Sequence, residues 1–588
     1  MEKKKEENQV AGMSMEEFVK KMIEHTKELY QTCGIEPITE VGEQREIMLP
    51  MSDGVKLRTT ILLPKLPYSR GGKEYQEAVP VVLQRSCYPM QEKFLLLHAE
   101  EYCKRGFAFV LQWCRGTGGS EGVWEPNVNE RQDGLDTLNW LEEQPFVRSV
   151  GYWGNSYLAL TGWCMADAVP EKVKTMYLGV YGTDRHTSAY KDGLFRQDIL
   201  TAWAMDNAGK PVTADYMESA RFRPQMEVDE ALWDTRLDWY RDWIGNTDRD
   251  CEYWSREGFW RMLKEIPGKV RIPVFIMEGW YDHHLGSAIV TYGDLSEEAR
   301  AHSVFQIGPW NHSHLSAVKH QPIDRLKEDT VSSPLHWFYQ ILMKEELPER
   351  AVETYVIGAD KWETWREFPV PADRKETFYL QAGGQTLETE KQDTGEGMPE
   401  AQTVSYSYDP QNPVISYGAE SCFKTQTAIG SLIQPECGYR PDVISFVSAP
   451  LSAKLEINGS IHVKLAVSSD AEDTAFSAKV MEVFPDGQAV NIRGSITTLA
   501  YRNGRTVRGT YTPGEVVEID IPMWDVAWEL QEGSKLRVDI SSSDFPQYAV
   551  HSNYPGVWSV QKETKVAKQT IYTGGRYASR IELPVVEG

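Results

Sequence analysis

Three residues far apart in the chain have the types needed for nucleophilic catalysis. Ser156 lies in "VGYWGNSYLALTGWCMA", with Gly154 two residues before it and an apolar run behind it. Asp282 follows the apolar segment "IPVFIMEGWY", and His312 follows "HSVFQIGPWN". A serine hydroxyl is a weak nucleophile until an imidazole takes its proton, and an aspartate can hold that imidazole in the right tautomer. In a parallel sheet such groups occupy loops after successive strands, in the chain order serine, acid, histidine found here. The chemistry expected is acyl transfer.

Ser156 stands where a strand over residues 150–153 would turn abruptly into a helix beginning near Tyr157. A turn of that kind lifts Oγ above the sheet and aims the N–H groups of the helix start at an oxyanion. The string Gly-Asn-Ser-Tyr-Leu-Ala lacks the second glycine of the commoner Gly-x-Ser-x-Gly pattern. Alone, the string also fits a tight turn that happens to carry a hydroxyl. The two downstream partners tip the reading toward a nucleophile.

The elements that must position these groups are legible upstream and downstream. "REIMLPMSDGVKLRTTILLP" predicts two strands joined by a turn at Asp53-Gly54. "AVPVVLQRSCY" and "FAFVLQWC" are short apolar runs without alternation, as in strands covered on both faces. "ERQDGLDTLNWLEEQ" has helical spacing at Leu135, Leu138 and Leu141. Strand and helix alternate to about residue 180 and resume with the strands before Asp282 and His312, which predicts a mostly parallel sheet with helices on both faces.

Residues 185–265 interrupt this pattern with charges and with Trp203, Trp233, Trp239, Trp243, Trp254 and Trp260. The segment reads as a helical insertion over the sheet edge, its tryptophans mainly a small core and alternatively a pocket lining. After about residue 345, period-two runs such as "IHVKLAVSS", "AFSAKVMEVFPDG" and "KLRVDISSS" predict an all-β module. Within it, "GGQTLETEKQDTGEGMPEAQ" reads as an exposed acidic loop. At the other end residues 14–32 predict an amphipathic helix. Ser14 and Glu17 have capping-box spacing, and Phe18, Met22, Ile23, Thr26, Leu29 and Tyr30 form a stripe. The stripe is expected to pack on the body, with a subunit contact as the alternative.

With 588 residues, the chain exceeds one core. Its 62 basic and 86 acidic residues leave a net charge of −24, a field that repels nucleic acid. No run of about 18 apolar residues occurs and the N-terminus has no signal-peptide core, so no membrane partner and a cytoplasmic location are expected. The eight cysteines include no CxxC pair and read as reduced residues.

Taken together, the motifs resemble the family of cocaine esterase, α-amino-acid ester hydrolases and X-Pro dipeptidyl-peptidases. "CRGTGGSEGVWEPNVNERQDGLDTLNWLEEQPFVRSVGYWGNSY" is similar to that family's Arg-Gly loop, helix and nucleophile turn. "GWYDHHLG" resembles its acid loop, "IGPWNHS" its histidine loop and "SSSDFPQY" a signature of its C-terminal jelly roll. The resemblance covers roughly residues 40–588. It implies an α/β-hydrolase sheet with a helical cap, followed by an all-β jelly-roll domain. It also implies Ser156 as nucleophile, Asp282 as acid, His312 as base, and an oxyanion hole of the Tyr88 phenol and the Tyr157 N–H. No cofactor and no metal are implied. The expected division is 1–35 as an N-terminal extension, 36–184 with 266–345 as the catalytic domain, 185–265 as the cap and 346–588 as the β domain.

The chain departs from the family pattern in places. Trp113 stands where the family usually has an aspartate, Cys87 where relatives commonly carry proline, and Ala159 where a glycine is usual. The first puts the packing of the Arg-Gly loop in question, and the last should slightly crowd the helix start. A metal site from His283, His284, His312 and His314 is a competing reading, as is a non-catalytic carbohydrate- or partner-binding protein. Peptidases and amino-acid ester hydrolases must hold a free ammonium with carboxylates. Asp184, Asp192, Asp198 and Asp206 could supply these, but an acidic face there also fits simple solvation. The substrate expected is therefore a small ester or amide with an uncharged acyl group. A homo-oligomer through the N-terminal helix or the β domain stays open.

Overall fold

The computed structural model describes residues 15–70, 72–320, 331–389, 401–423 and 426–587. Its first half is built on a ten-stranded sheet. In chain order the strands are β1 (Val41–Pro50), β2 (Lys56–Pro64), β3 (Val79–Ser86), β4 (Ala108–Trp113), β5 (Val147–Asn155), β6 (Val173–Gly179), β7 (Val274–Tyr281), β8 (Val304–Asn311), β9 (Ala351–Val356) and β10 (Lys361–Trp365). Their spatial order is β1-β2-β4-β3-β5-β6-β7-β8-β9-β10. From β4 through β9 all neighbours are parallel, while β1, β2 and β10 join antiparallel. The apolar runs of β3, β4, β7 and β8 are buried along their whole length, which is why they carry no alternation.

Helices α1 (Met15–Thr32), α2 (Glu92–Lys104), α3 (Glu130–Glu143) and α4 (Tyr157–Trp163) accompany this sheet. Tyr30 of α1 is buried, and its hydroxyl and His98 Nδ1 on α2 share a 2.7 Å hydrogen bond. The Arg105 guanidinium donates to the Tyr30 carbonyl at 2.6 Å and lies over its ring. The helix thus packs on the body, as expected. Ser14 lies outside the described residues.

Between β6 and β7 the chain forms a run of short helices plus a two-stranded ribbon at residues 190–195, the helical insertion foreseen. Trp233, Trp243, Trp254 and Trp260 are buried in it, and Trp239 packs on Trp243. Among the described residues the second half is an all-β body with a main sheet of thirteen strands, joined mainly antiparallel, and a separate two-stranded sheet. The hairpin β9–β10, although it lies beyond residue 346, pairs with the edge of the first sheet. Period-two alternation shows that a segment is a half-buried strand, but not which sheet it joins. In the acidic loop, Thr386–Glu388 is a strand and residues 390–400 lie outside the described residues. Among the described residues, no helix is long and apolar enough to cross a membrane. All eight cysteines are free.

Candidate active site

The turn at Ser156 is strained. Its backbone sits at φ 58° and ψ −126°, between the end of β5 and the start of α4. A non-glycine residue there costs on the order of 1–3 kcal/mol, and such strain concentrates at functional positions. Neighbouring packing enforces the turn. A Cβ on Gly154 would stand 2.0 Å from the Leu158 carbonyl oxygen, so only glycine fits two residues before the serine. Ser156 N–H donates to Gly179 O at 2.9 Å, and the Ala159 and Leu160 N–H groups both return to Ser156 O, at 2.8 and 3.1 Å. The helix therefore starts regularly despite Ala159. The Tyr157 N–H, first in the helix, has no helical acceptor and is available to an anion.

The strand ends bring the partners in. Asp282 follows β7 and is fully buried; His312 follows β8 and its side chain is 14% exposed. His312 Nδ1 lies 2.6 Å from Asp282 Oδ2, and His312 Nε2 lies 2.9 Å from Ser156 Oγ. The other Asp282 oxygen accepts the His284 N–H at 2.6 Å. In this chain of contacts the imidazole can take the serine proton while the carboxylate steadies the imidazolium.

Tyr88 and Tyr157 both line the cavity over Ser156. Burial pushes the Tyr88 phenol well above its ordinary range, so it stays protonated and able to donate. Its oxygen accepts the Trp203 indole N–H at 3.2 Å, which orients the group. The Tyr157 phenol is committed elsewhere, donating to Glu130 Oε1 at 3.0 Å and accepting the Asn127 N–H at 2.9 Å. Glu130 in turn pairs with the buried Arg85 at 3.2 Å. That network commits the Tyr157 side chain and leaves only its backbone N–H for an anion.

Trp113 is fully buried, and a Cβ on Gly118 would stand 2.4 Å from its ring. The Arg-Gly loop thus folds directly onto the indole that replaces the expected aspartate. Arg115 is held instead by Asp133, at 3.1 and 2.6 Å, and by Asp53 at 2.7 Å.

The histidines do not act as one set. Asp282, His283 and His312 approach within 4.8 Å of one another through potential ligand atoms, whereas His284 and His314 stay outside that group. The 2.6 Å contact of Asp282 and His312 is a charge-assisted hydrogen bond, shorter than two ligands around one tetrahedral ion would stand. Burial, then the neighbouring imidazoles, holds His283 and His284 well below the usual imidazole range, so both stay neutral.

Residues the sequence did not single out complete the cavity. Asn127, Tyr181, Arg185, Ile199 and Leu200 join Trp203 and Trp243 of the insertion, and Cys422 and Phe423 come from the β body. The tryptophan reading therefore divides: Trp203 and Trp243 line the cavity, while Trp233 is insertion core. The space over Ser156 is narrow, about 50 Å³. Larger hollows of about 530 and 510 Å³ lie against Arg221–Phe222 and around Asn503 and Arg580, away from the serine.

Known proteins resemble this chain over most of its length. Residues 53–314 match the model of the X-Pro dipeptidyl-peptidase (S15) family, and residues 347–582 match that of the X-Pro dipeptidyl-peptidase C-terminal non-catalytic domain. Cocaine esterase of Rhodococcus sp. (strain MB1 Bresler) is 27% identical over 92% of this chain and 98% of its own length. A putative serine esterase of Mycobacterium bovis is 22% identical over 91% of this chain and 94% of its own. In fold, an α-amino acid ester hydrolase superposes with a TM-score of 0.77 at 22% identity, over 92% of this chain and 96% of that one. An aminopeptidase from a marine sediment Thaumarchaeota archaeon gives 0.75 at 20%, over 93% and 97%. Fold and family matches together define a serine hydrolase of α/β-hydrolase architecture with an all-β C-terminal domain. Over nearly its whole length the chain is similar to the family of cocaine esterase, α-amino-acid ester hydrolases and X-Pro dipeptidyl-peptidases.

Proposed function

We propose that this protein hydrolyses an ester or amide acyl bond of a small substrate in two steps through an acyl-enzyme, with Ser156, His312 and Asp282 as the triad. The observation that carries the reading is the continuous relay from Ser156 Oγ through His312 to Asp282, with contacts of 2.9 and 2.6 Å. His312 takes the hydroxyl proton as Oγ attacks the carbonyl carbon. The Tyr88 phenol and the Tyr157 N–H receive the oxyanion. The imidazolium then returns its proton to the leaving oxygen or nitrogen, and the same cycle with water releases the acid.

Among esterase, amino-acid ester hydrolase and X-Pro peptidase, the charges in the insertion favour the first. Burial works to raise the Asp184 carboxyl, but Arg249 and Lys264 together hold it at about 2. Asp198 faces Arg196, and Asp192 lies beside Lys191. Three of the four carboxylates that could have met a substrate ammonium are thus matched by the protein's own cations. Asp206 is the exception.

The test is fluorophosphonate labelling of the folded protein, followed by turnover of short-chain aryl esters, amino-acid esters and X-Pro anilides. Labelling at Ser156 and ester turnover are expected. An unlabelled Ser156 would support a binding protein instead, and activity abolished by a chelator but indifferent to the phosphonate would support a metal site.

A further inference from the structure

We propose that the substrate carries a carboxylate close to its scissile carbonyl, and that Arg185 is the residue that binds it. This rests on the serine-hydrolase reading above. Arg185 lies just past the C-terminal end of β6, where it begins the short helix α5 (Arg185–Ala189), and it lines the cavity with Ser156, Tyr88 and His312. It is only 9% exposed. Among the described residues no carboxylate pairs with it, and its Nε has no hydrogen-bond partner.

The other deeply buried arginines are treated differently. Arg85 meets Glu130 at 3.2 Å, Arg105 meets Glu101 at 2.6 Å, Arg196 meets Asp198 at 3.3 Å and Arg493 meets Glu420 at 2.8 Å. A charge taken out of water without a counter-ion is unfavourable, and each of these four guanidiniums is given a carboxylate. Arg185 is given none among the described residues, even though Asp184 is the preceding residue. That carboxylate turns away to Arg249 at 2.7 Å and Lys264 at 3.5 Å. What surrounds Arg185 orients the cation without neutralising it: its Cζ lies 4.7 Å from the Trp243 ring centroid and 5.6 Å from that of Trp260. The neighbouring His283 and His284 are held neutral, first by burial and in part by this same charge.

Among the described residues the cavity lining holds one arginine or lysine, Arg185, which matches a monoanion, and the planar guanidinium fork is complementary to a carboxylate. Where the sequence pointed to an uncharged acyl group, the placement of Arg185 points to an anionic substrate.

The experiment compares matched esters on the wild type, Arg185→Met and Arg185→Lys. The acyl-side pair is 4-nitrophenyl hexanoate and the 4-nitrophenyl monoester of adipic acid; the leaving-group pair is phenyl butyrate and 4-butyryloxybenzoate. For at least one pair, wild-type kcat/KM should favour the carboxylate ester by about 10- to 100-fold, the range of one charge-assisted hydrogen-bonded pair. Arg185→Met should bring that ratio to about 1, and Arg185→Lys should keep part of it. Calorimetric binding of adipate over hexanoate to the wild type gives a readout independent of turnover and of the variants' folding. Ser156-dependent hydrolysis with wild-type ratios at or below 1 for both pairs, or a preference for aminoacyl esters, would overturn the proposal alone. Absence of Ser156-dependent hydrolysis of every ester would instead overturn the serine-hydrolase reading beneath it.

Discussion

Arg493, in the β body, donates its Nη1 to the backbone carbonyl of Trp280, two residues ahead of Asp282. The same guanidinium pairs with Glu420 at 2.8 Å and reaches Asp525 O at 2.7 Å. Close by, the Tyr281 hydroxyl donates to Ile492 O at 3.1 Å. The loop that presents the acid is therefore clamped from outside the sheet that carries it.

Removing the clamp should be costly twice over. Arg493 and Glu420 are almost wholly buried, so Arg493→Met strands a carboxylate and should destabilise the fold by about 3–5 kcal/mol. It should also lower kcat at temperatures where the variant stays folded, because Asp282 loses its anchor. Thermal denaturation and kcat measured on Arg493→Met and on Arg493→Met with Glu420→Gln check this; the second variant should recover part of the stability. Equal stability of wild type and Arg493→Met would contradict the role given to the β body.

Function and stability should part at Ser156. Ser156→Ala is expected to lower kcat by on the order of 10⁴-fold or more without loss of fold. Ser156→Gly should be as inactive, yet more stable than the wild type by about 1 kcal/mol, because glycine adopts φ 58° without strain. Urea midpoints of the two variants read the difference directly.

Tyr88→Phe removes one donor from the oxyanion and should reduce kcat by on the order of 10²-fold with little change in KM. Trp203→Phe removes the N–H that orients the phenol together with part of the ring stacked on Tyr157, leaves the phenol itself in place, and a smaller loss is expected. Steady-state kinetics on one aryl ester would rank them. A Tyr88→Phe enzyme with unchanged kcat takes the phenol out of the mechanism.

Buried imidazoles make the fold acid-sensitive. Burial lowers His98 to about 3 and His186 to about 4 from the ordinary 6.5. Below about pH 6.5 the unfolded chain binds these protons while the folded chain refuses them down to pH 3–4, so stability is full above that value and falls on acidification. The slope is about 1.4 kcal/mol per pH unit for each such histidine. Chemical denaturation between pH 8 and pH 5 should show the decline, and His98→Gln, which keeps an acceptor for Tyr30, should make it shallower by about one proton. Identical slopes would show that His98 does not titrate in this way.

Much of this protein was determined by its linear pattern. Unbroken apolar runs marked β3, β4, β7 and β8 because strands covered on both faces need no polar residues, and the order of Ser156, Asp282 and His312 after three of the sheet's strands predicted their meeting. Local pattern is silent about partners chosen across long distances. Only tertiary structure could join β9 and β10 to the first sheet, since a strand's alternation does not name its neighbour. Only it could set Cys422 and Phe423 beside Ser156, or hold the acid loop with Arg493. Arg185 shows the reason most plainly. In the sequence it follows an aspartate, but an ion pair depends on distance in space, and the fold gives that aspartate to two other cations.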